Sequence, residues 1–210
     1  MRYAQDHKVH AKAEILRAAS GKLKEKGFHA VGVDALAAAA NVTSGALYSN
    51  FTGKEGLLEE VVAAELGLQF AGIADPESDP ESGPSSAPDS HPDSDPAERG
   101  RRLGDILHVY LSDEHRTDPA GGCVMPSLSA DVARAGDSVR ETYRRHMVDL
   151  VATLAPAMRG APEEQTKHAW AMIASIVGAV TIARALPSGD ESRAALDATL
   201  EAVMQAIDRE

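Results

Sequence analysis

The stretch from residue 33 to residue 58 constrains the fold of this chain more than any other. It reads V-D-A-L-A-A-A-A-N-V-T-S-G-A-L-Y-S-N-F-T-G-K-E-G-L-L. Residues 34–40 place Leu36 and two alanines on one face, which predicts a short helix. Asn41 tolerates the left-handed conformation that closes a helix, and Thr43 is a good N-cap for a second one. The pattern therefore predicts two short helices joined by a tight turn.

The second of these helices has an apolar and a polar face. Leu47 and Phe51 lie four residues apart and are expected to point inward, and Val42 is expected to be buried in the turn. The polar residues left outside are Thr43, Ser44, Tyr48, Ser49 and Asn50. This division is typical of a helix-turn-helix, in which the second helix enters the major groove of DNA.

Residues 43–58 resemble the signature of the TetR (tetracycline-repressor-like) family. That signature combines a small hydroxyl residue, a Gly, Leu-Tyr, a polar pair, a Phe, two loop residues, Lys-Glu and a Leu. Gly32 departs from it, since the family often has Ser or Thr there, and Asn50 stands where His is frequent. The close similarity covers about residues 10 to 60, and beyond them the helix layout is similar.

The resemblance implies an all-α protein of two domains. Residues 1–54 would form a three-helix, helix-turn-helix DNA-binding domain, and residues 55–210 a helical ligand-binding and dimerisation domain. The implied function is that of a homodimeric regulator, a repressor released from its operator by a small-molecule effector. The alternative is a helical small-molecule-binding protein whose helix-turn-helix is vestigial.

Seven residues are expected to contact DNA. Gly45 would let the backbone approach the duplex, Tyr48 and Asn50 would donate to phosphate, and Lys54 would add charge at a helix N-terminus. The full set is Thr43, Ser44, Gly45, Tyr48, Ser49, Asn50 and Lys54. The second helix has no Arg, Gln or Lys of its own, so we expect specificity from hydroxyl groups, thymine methyl contacts, water and DNA shape.

Net charge supports this interpretation only when it is divided along the chain. The whole chain carries −11, but residues 1–54 hold eight Lys or Arg against four acids, a sum of +4. Residues 75–98 hold eight acids and no Lys or Arg, a sum of −8. The basic part coincides with the helix-turn-helix, as expected for a nucleic-acid-binding domain.

Residues 75–98 form the second unusual feature. Prolines recur there at every fourth position from Pro76 to Pro96, and large apolar side chains are missing. No helix or strand tolerates that period, so the segment is predicted to be disordered or partly polyproline II. It is either an acidic tether with a regulatory role or a surface-loop expansion, which costs only ~0.6 kcal/mol per doubling of length.

The rest of the chain predicts further helices. An arm over residues 1–9 would precede the first helix, and a polar loop is expected over residues 113–122. The predicted helices cover residues 10–26, 54–71, 97–112, 123–135, 138–158, 162–186 and 190–209. The longest apolar run, residues 169–183, is shorter than the ~20 residues a membrane span needs, so a buried helix is expected.

The last two predicted helices, 162–186 and 190–209, are the candidate dimer surface. Small residues recur along the first of them at Ala171, Ala174, Ser175, Gly178 and Ala185. The second carries an apolar seam at Leu196, Leu200, Val203 and Ile207. The resemblance implies that these helices pair in a dimer, whereas the residues alone equally allow packing within one subunit.

Composition and motifs leave other classes of function with little support. One Cys excludes an internal disulfide framework and fits a reducing cytoplasm, and charges from Arg2 through Lys26 leave no apolar stretch for a signal peptide. No His/Cys cluster with metal-ligand spacing, phosphate loop or nucleophile–base set is found, so neither a cofactor nor an enzymatic activity is expected.

An effector pocket is implied by the resemblance alone. Each candidate residue is otherwise ordinary core. The candidates are Leu107, Tyr110, Cys123, Met125, Leu128, Tyr143, Met147, Trp170, Ile173 and Val177. Cys123 opens a helix after Gly122, as in a subset of the family that responds to thiol-reactive electrophiles; it is either a sensor or a small buried hydrophobe.

Overall fold

The computed structural model describes residues 2–74 and 96–207. This part of the chain is helical, and its extended pairing is limited to one bridge between Met158 and Ile207. The helices are α1 (Arg2–Lys26), α2 (Val33–Ala39), α3 (Ser44–Asn50), α4 (Gly53–Glu65), α5 (Ala71–Ala74), α6 (Pro96–Tyr110), α7 (Asp113–Thr117), α8 (Val124–Val132), α9 (Asp137–Leu154), α10 (Pro162–Ala185) and α11 (Asp190–Met204), with 3-10 turns at Leu68–Phe70 and Ala155–Ala157. The protein is therefore all-α, as the sequence predicts.

The chain forms two compact units. The first, here the N-terminal unit, comprises Met1–Leu66 and Asp118–His146; the second, the C-terminal unit, comprises Gly67–Thr117 and Met147–Glu210. The expected division into residues 1–54 and 55–210 is a functional one and stays a prediction. By packing, α4 and the segment 118–146 belong with the N-terminal helices.

In the N-terminal unit, α1 packs against α2, α4 and α8. The side chains that fill its core are apolar and buried: Ile15, Ala19, Leu23, Leu36, Leu47, Phe51, Leu57, Leu58 and Val61. The predicted arm over residues 1–9 is wrong, because α1 already begins at Arg2. Residues 2–9 contain neither Pro nor Gly, so nothing in the sequence stops the helix there.

The single helix predicted over residues 54–71 is also wrong. α4 ends at Glu65, and Gly67 adopts φ 92°, a left-handed conformation that favours glycine. The chain then makes the Leu68–Phe70 turn and the short α5. This break coincides with the boundary between the two units, and Phe70, in the C-terminal unit, is fully buried.

Two other predicted connections differ from the structure. The polar loop expected over residues 113–122 begins with α7, because the Ser112 hydroxyl accepts the backbone N–H of His115 at 3.2 Å and so caps the helix. Of the segment 75–98, predicted to be disordered, residues 75–95 lie outside the described residues. Residues 96–98 open α6, where Pro96 occupies the first helical position that proline tolerates.

The C-terminal unit ends with the helix pair α10 and α11, which pack on each other. The apolar seam of α11 faces the inside of the chain: Leu196 and Val203, with Ile207 just beyond the helix, are buried. α10 is long and apolar enough to cross a membrane by length and composition alone, a test that core helices also pass. Only 39% of its most apolar window is buried, so the expectation of a buried helix holds for one side only.

Candidate nucleic-acid interface

The turn between α2 and α3 has the predicted geometry. Asn41 lies at φ 54°, in the left-handed region. The next residue, Val42, donates its N–H to the Ala37 carbonyl at 2.9 Å, but its side chain is half-buried rather than buried. The Thr43 hydroxyl accepts the N–H of Ala46 at 3.1 Å, which confirms it as the N-cap of α3. These contacts fix the angle at which α3 leaves α2.

α3 presents one face to the core and the other to solvent. Leu47 and Phe51 are buried, as predicted. Tyr48 is 56% exposed, and Gly45 and Ser49 are exposed beside it. A seven-residue helix anchored by its apolar side can therefore offer its polar side to a large partner.

Several polar groups of α3 are already engaged by the protein. Ser44 donates its hydroxyl proton to Asp34 of α2 at 2.5 Å. Ser49 donates to the Ala46 carbonyl at 2.8 Å, and the Asn50 amide donates to the same carbonyl at 2.8 Å. The Asn50 amide nitrogen also lies 3.5 Å from the Ser49 hydroxyl, so donation by Asn50 to phosphate, which stays a prediction, would compete with contacts inside α3. In the part of the chain that the structure describes, nothing binds the Tyr48 hydroxyl.

Gly45 is not required by the packing of the free protein. A Cβ built on it would meet Thr43 Oγ1 at 3.9 Å, an ordinary contact, and its φ is not in the left-handed region. A larger side chain would therefore fit the fold and project from the exposed face. Close approach of the backbone to a duplex, the role expected of Gly45, stays a prediction.

Lys54 differs from most lysines of this unit. The ammonium groups of Lys12, Lys22 and Lys24 lie within 3.1 Å of carboxylates of Glu60, Glu25 and Glu65, respectively. Lys54 has no carboxylate partner among the described residues.

Its ammonium lies 4.3 Å from the centroid of the Phe28 ring, a cation–π arrangement that keeps the charge uncompensated. Lys54 also sits in the first turn of α4 (Gly53–Glu65), where the helix dipole is positive.

Two residues that shape this surface were not found by sequence reasoning. The Asp34 carboxylate accepts a hydrogen bond from the Ser44 hydroxyl, and the Phe28 ring lies under the Lys54 ammonium. Asp34 looked like an ordinary acid in the first turn of a helix, and its contact depends on how α2 and α3 cross. Phe28 is far from Lys54 along the chain, so no local pattern signals their contact.

The ten residues predicted to line an effector pocket are divided between the two units. Cys123, Met125, Leu128 and Tyr143 lie in the N-terminal unit, and Leu107, Tyr110, Met147, Trp170, Ile173 and Val177 in the C-terminal unit. Seven of them are buried, whereas Tyr143 and Val177 are half-buried and Trp170 is 43% exposed. Burial alone fits both core packing and a pocket, so this set stays a prediction.

The polar members of the set in the N-terminal unit, Cys123 and Tyr143, each make a hydrogen bond with a residue of α8. The buried Cys123 is the N-cap residue, and its Sγ accepts the Met125 N–H at 3.4 Å. Ser129 donates to the Met125 carbonyl and pairs with the Tyr143 hydroxyl at 2.7 Å. Burial raises the pKa of Tyr143, while the hydrogen bond with Ser129 acts in the opposite direction, so the phenol stays protonated at neutral pH.

Residues 15–61 match the sequence model of the family described as "Bacterial regulatory proteins, tetR family". No curated protein matches the chain.

Similar solved structures include the reduced form of E. coli NemR (TM-score 0.67, 18% identity, 96% of this chain and 98% of that chain covered). A TetR-family regulator from Agrobacterium tumefaciens is also similar (0.68, 19%, 95% and 98%). So is regulatory protein TetR from Rhodobacter sphaeroides (0.66, 19%, 94% and 98%).

The family match lies where the structure has its helix-turn-helix, since residues 15–61 run from α1 into α4 and include the capped turn and α3. The structural similarity extends over both compact units, because the alignments cover at least 94% of the chain. Residues 15–61 therefore match the DNA-binding domain of the TetR family, and the chain as a whole has the fold of TetR-family transcriptional regulators.

Proposed function

We propose that this regulator is a homodimeric repressor that binds an operator through α3 and leaves it when a small molecule binds. The observation that carries the proposal is the exposed face of α3. Tyr48 projects from it at 56% exposure and Gly45 leaves an open approach, while Lys54, in the first turn of the next helix, keeps an uncompensated charge. A polar, locally rigid face with a nearby cation suits contact with phosphate and groove edges.

In this proposal the contacts to DNA divide by type. Tyr48, Asn50 and Lys54 bind phosphates, which position the protein without selecting a sequence. Gly45 permits close approach of the backbone. Thr43, Ser44 and Ser49 offer hydroxyl oxygens toward base edges. Residues 1–54 act as the DNA-binding domain and residues 55–210 as the regulatory domain, in the cytoplasm where the DNA is.

The proposed dimer forms through the solvent face of α10 and α11. Ala171, Ala174, Thr181, Ile182 and Ala185 are exposed along α10, and Ile182 reaches 56%. A Cβ built on Gly178 would meet nothing within 4 Å.

Exposed alanines recur on α11 at Ala194, Ala198 and Ala202. Small residues at these intervals let helices of a second copy approach closely, and the exposed apolar surface of α10 gives such an approach a driving force.

The dimer makes the operator contact cooperative. A single short helix without Arg, Gln or Lys binds DNA weakly, whereas two copies spaced by about 34–36 Å read two half-sites one helical turn apart. We propose that the effector alters this spacing from a pocket lined by members of the ten-residue set described above.

The experiment is a DNA-binding titration with duplex DNA from upstream of the protein's own gene, over a range of salt concentrations. Sedimentation of the same sample reports the oligomeric state. Tyr48→Ala and Lys54→Ala should weaken binding, whereas Arg140→Ala, which removes an exposed charge from α9, should leave it unchanged.

Wild-type protein without measurable affinity for that DNA, or for mixed-sequence duplexes at low salt, would contradict the proposal. It would favour a ligand-binding protein with a vestigial helix-turn-helix. A monomeric protein that binds DNA would contradict only the dimer.

A further inference from the structure

A carboxylate from α8 reaches the turn between α1 and α2. Asp131 is only 7% exposed, and its Oδ2 accepts the backbone N–H of Phe28 at 3.0 Å. Its other oxygen faces the exposed side chains of Arg134, at 3.2 Å, and His29, at 3.9 Å. A buried acid that devotes one oxygen to a backbone amide from a distant part of the sequence indicates a specific positional role.

The end of α1 explains why Phe28 needs this acceptor. Gly27 closes the helix at φ 83° and donates its N–H to the Leu23 carbonyl at 2.8 Å. In this kind of helix ending the glycine amide is satisfied, but the next amide has no partner in the helix. A buried N–H without an acceptor is costly, so Asp131 completes the turn and fixes Phe28.

The side chain of Phe28 links this turn to Lys54, one of the residues proposed to contact DNA. Its ring is buried, and the Lys54 ammonium lies 4.3 Å from the ring centroid. A cation held over an aromatic face is restricted in direction, and Lys54 has no competing carboxylate among the residues described. The position of the Lys54 charge is thus tied to the position of the Phe28 ring.

A second contact keeps the same segment in place. The ammonium of Lys24, a residue only 8% exposed, donates to the Gly122 carbonyl at 2.9 Å and to Glu65 at 2.8 Å. Gly122 immediately precedes Cys123, the N-cap of α8, whereas Asp131 lies near the helix end. Because the two contacts hold opposite ends of α8, loss of one should leave the segment docked on α1.

We propose that Asp131 is a positioning residue for DNA binding: its carboxylate fixes the Phe28 turn, and the Phe28 ring holds the Lys54 ammonium for a phosphate. The inference rests on the proposed function, because it assigns Lys54 to DNA. A movement of α8 would therefore change the phosphate contact of Lys54 through Asp131 and Phe28. Three members of the predicted effector set, Cys123, Met125 and Leu128, lie on or cap this helix.

The first test needs no DNA. In the full-length protein, the ring current of Phe28 should shift the Lys54 side-chain methylene protons upfield in NMR spectra. Asp131→Ala should reduce this shift and speed hydrogen exchange of the Phe28 amide. Asp131→Asn should retain both properties, because its amide oxygen can still accept the N–H. Arg134→Ala removes only an exposed ion pair and is the matched control.

The second test measures binding to a mixed-sequence duplex against salt, so the operator need not be known. Lys54→Ala should lower the slope of log K against log salt by about 1 per subunit. Asp131→Ala should lower affinity about two- to fivefold, the value of an exposed cation–π contact, and should also reduce the slope. In the Lys54→Ala background, Asp131→Ala should have no further effect. A merely structural role would change the melting temperature without this dependence on Lys54.

The outcomes separate the inference from the proposed function. If Lys54→Ala binds DNA as wild type does, the proposed phosphate contact is wrong, whatever the NMR spectra show. If Lys54→Ala weakens binding but the two substitutions are additive, the inference is wrong and the function stands. An unchanged Lys54 ring-current shift in Asp131→Ala also overturns the inference. Should Asp131→Ala not fold, Phe28→Leu keeps an apolar side chain without the ring face and must give the same loss of slope.

Discussion

α3 and α10 each expose one face to solvent, but the two faces differ in the side chains that they present. The face of α3 is polar, and local hydrogen bonds from Ser44, Ser49 and Asn50 already hold much of it in place. The face of α10 is small and apolar, with Ala174 and an open space at Gly178. Deleting one polar group should therefore perturb α3 little, whereas adding bulk or charge to the exposed face of α10 should strongly weaken the proposed dimer.

The largest effect should come from the buried side of the α10–α11 pair. Val203→Asp should lower the free energy of unfolding by about 3 kcal/mol or more, because Val203 is 5% exposed and the carboxylate would have no partner in the core. Urea denaturation followed by circular dichroism measures this. Ala202→Asp places the same charge on the exposed side of α11; it should weaken the proposed dimer but keep the helical fold of the subunit, and is the control. Equal destabilisation by both would show that the two sides of α11 do not differ.

Next in size is the effect of a charge on the exposed side of α10. Ala174→Arg should keep the fold but raise the dimer dissociation constant by about two orders of magnitude, because a guanidinium without a partner would be buried in the proposed interface. Sedimentation over a range of concentrations measures it, and DNA affinity should fall in parallel. Ala152→Arg, on the exposed surface of α9, should leave the dimer intact. An Ala174→Arg dimer as tight as wild type would place the interface elsewhere.

The two regions also differ in how far the sequence predicts them. Asn41, Thr43, Leu47 and Phe51 were assigned correctly because a cap or an i,i+4 pair depends on neighbours within a few residues. The α10–α11 pair was predicted as two helices for the same reason. Its apolar residues, however, signal burial without saying whether the same chain or a second copy covers them, and the seam at Val203 proved to be internal.

The features that the sequence did not predict depend on contacts between parts of the chain that are distant in sequence. The break at Gly67 was missed because the apolar pattern continues past it to Phe70, while the glycine conformation that ends α4 depends on tertiary packing. The Asp131–Phe28 hydrogen bond joins residues 103 positions apart. Neither has a local signature, so the connections between elements, and the support of the candidate site, required the structure.

A bulky residue at Gly45 should separate the fold from DNA binding. Gly45→Leu should keep or raise the free energy of unfolding, by up to about 1 kcal/mol, because glycine is a poor helix former and the added side chain meets open space. DNA affinity should nevertheless fall at least about tenfold, since the side chain would hold the backbone away from the duplex. Thermal melting and a binding titration measure the two effects. Undiminished affinity would show that α3 does not approach DNA at Gly45.

The smallest effects should come from single hydroxyl groups on α3. A matched pair of substitutions tests whether a hydroxyl that is already hydrogen-bonded within α3 contributes less to DNA affinity than one that is not. Ser49→Ala removes a hydroxyl that donates to the Ala46 carbonyl, so DNA affinity should change less than about twofold. Tyr48→Phe removes a hydroxyl on a side chain that is 56% exposed, and affinity should fall about three- to tenfold through loss of a hydrogen bond to phosphate.

The Tyr48→Phe loss should be equal for operator and mixed-sequence duplexes, because a phosphate contact carries no sequence information. Parallel titrations with both duplexes at one salt concentration measure this. A larger effect of Ser49→Ala would mean that its hydroxyl leaves Ala46 when DNA binds, so that the local hydrogen bonds of α3 do not persist in the complex. A loss confined to the operator in Tyr48→Phe would instead assign that hydroxyl to a base edge.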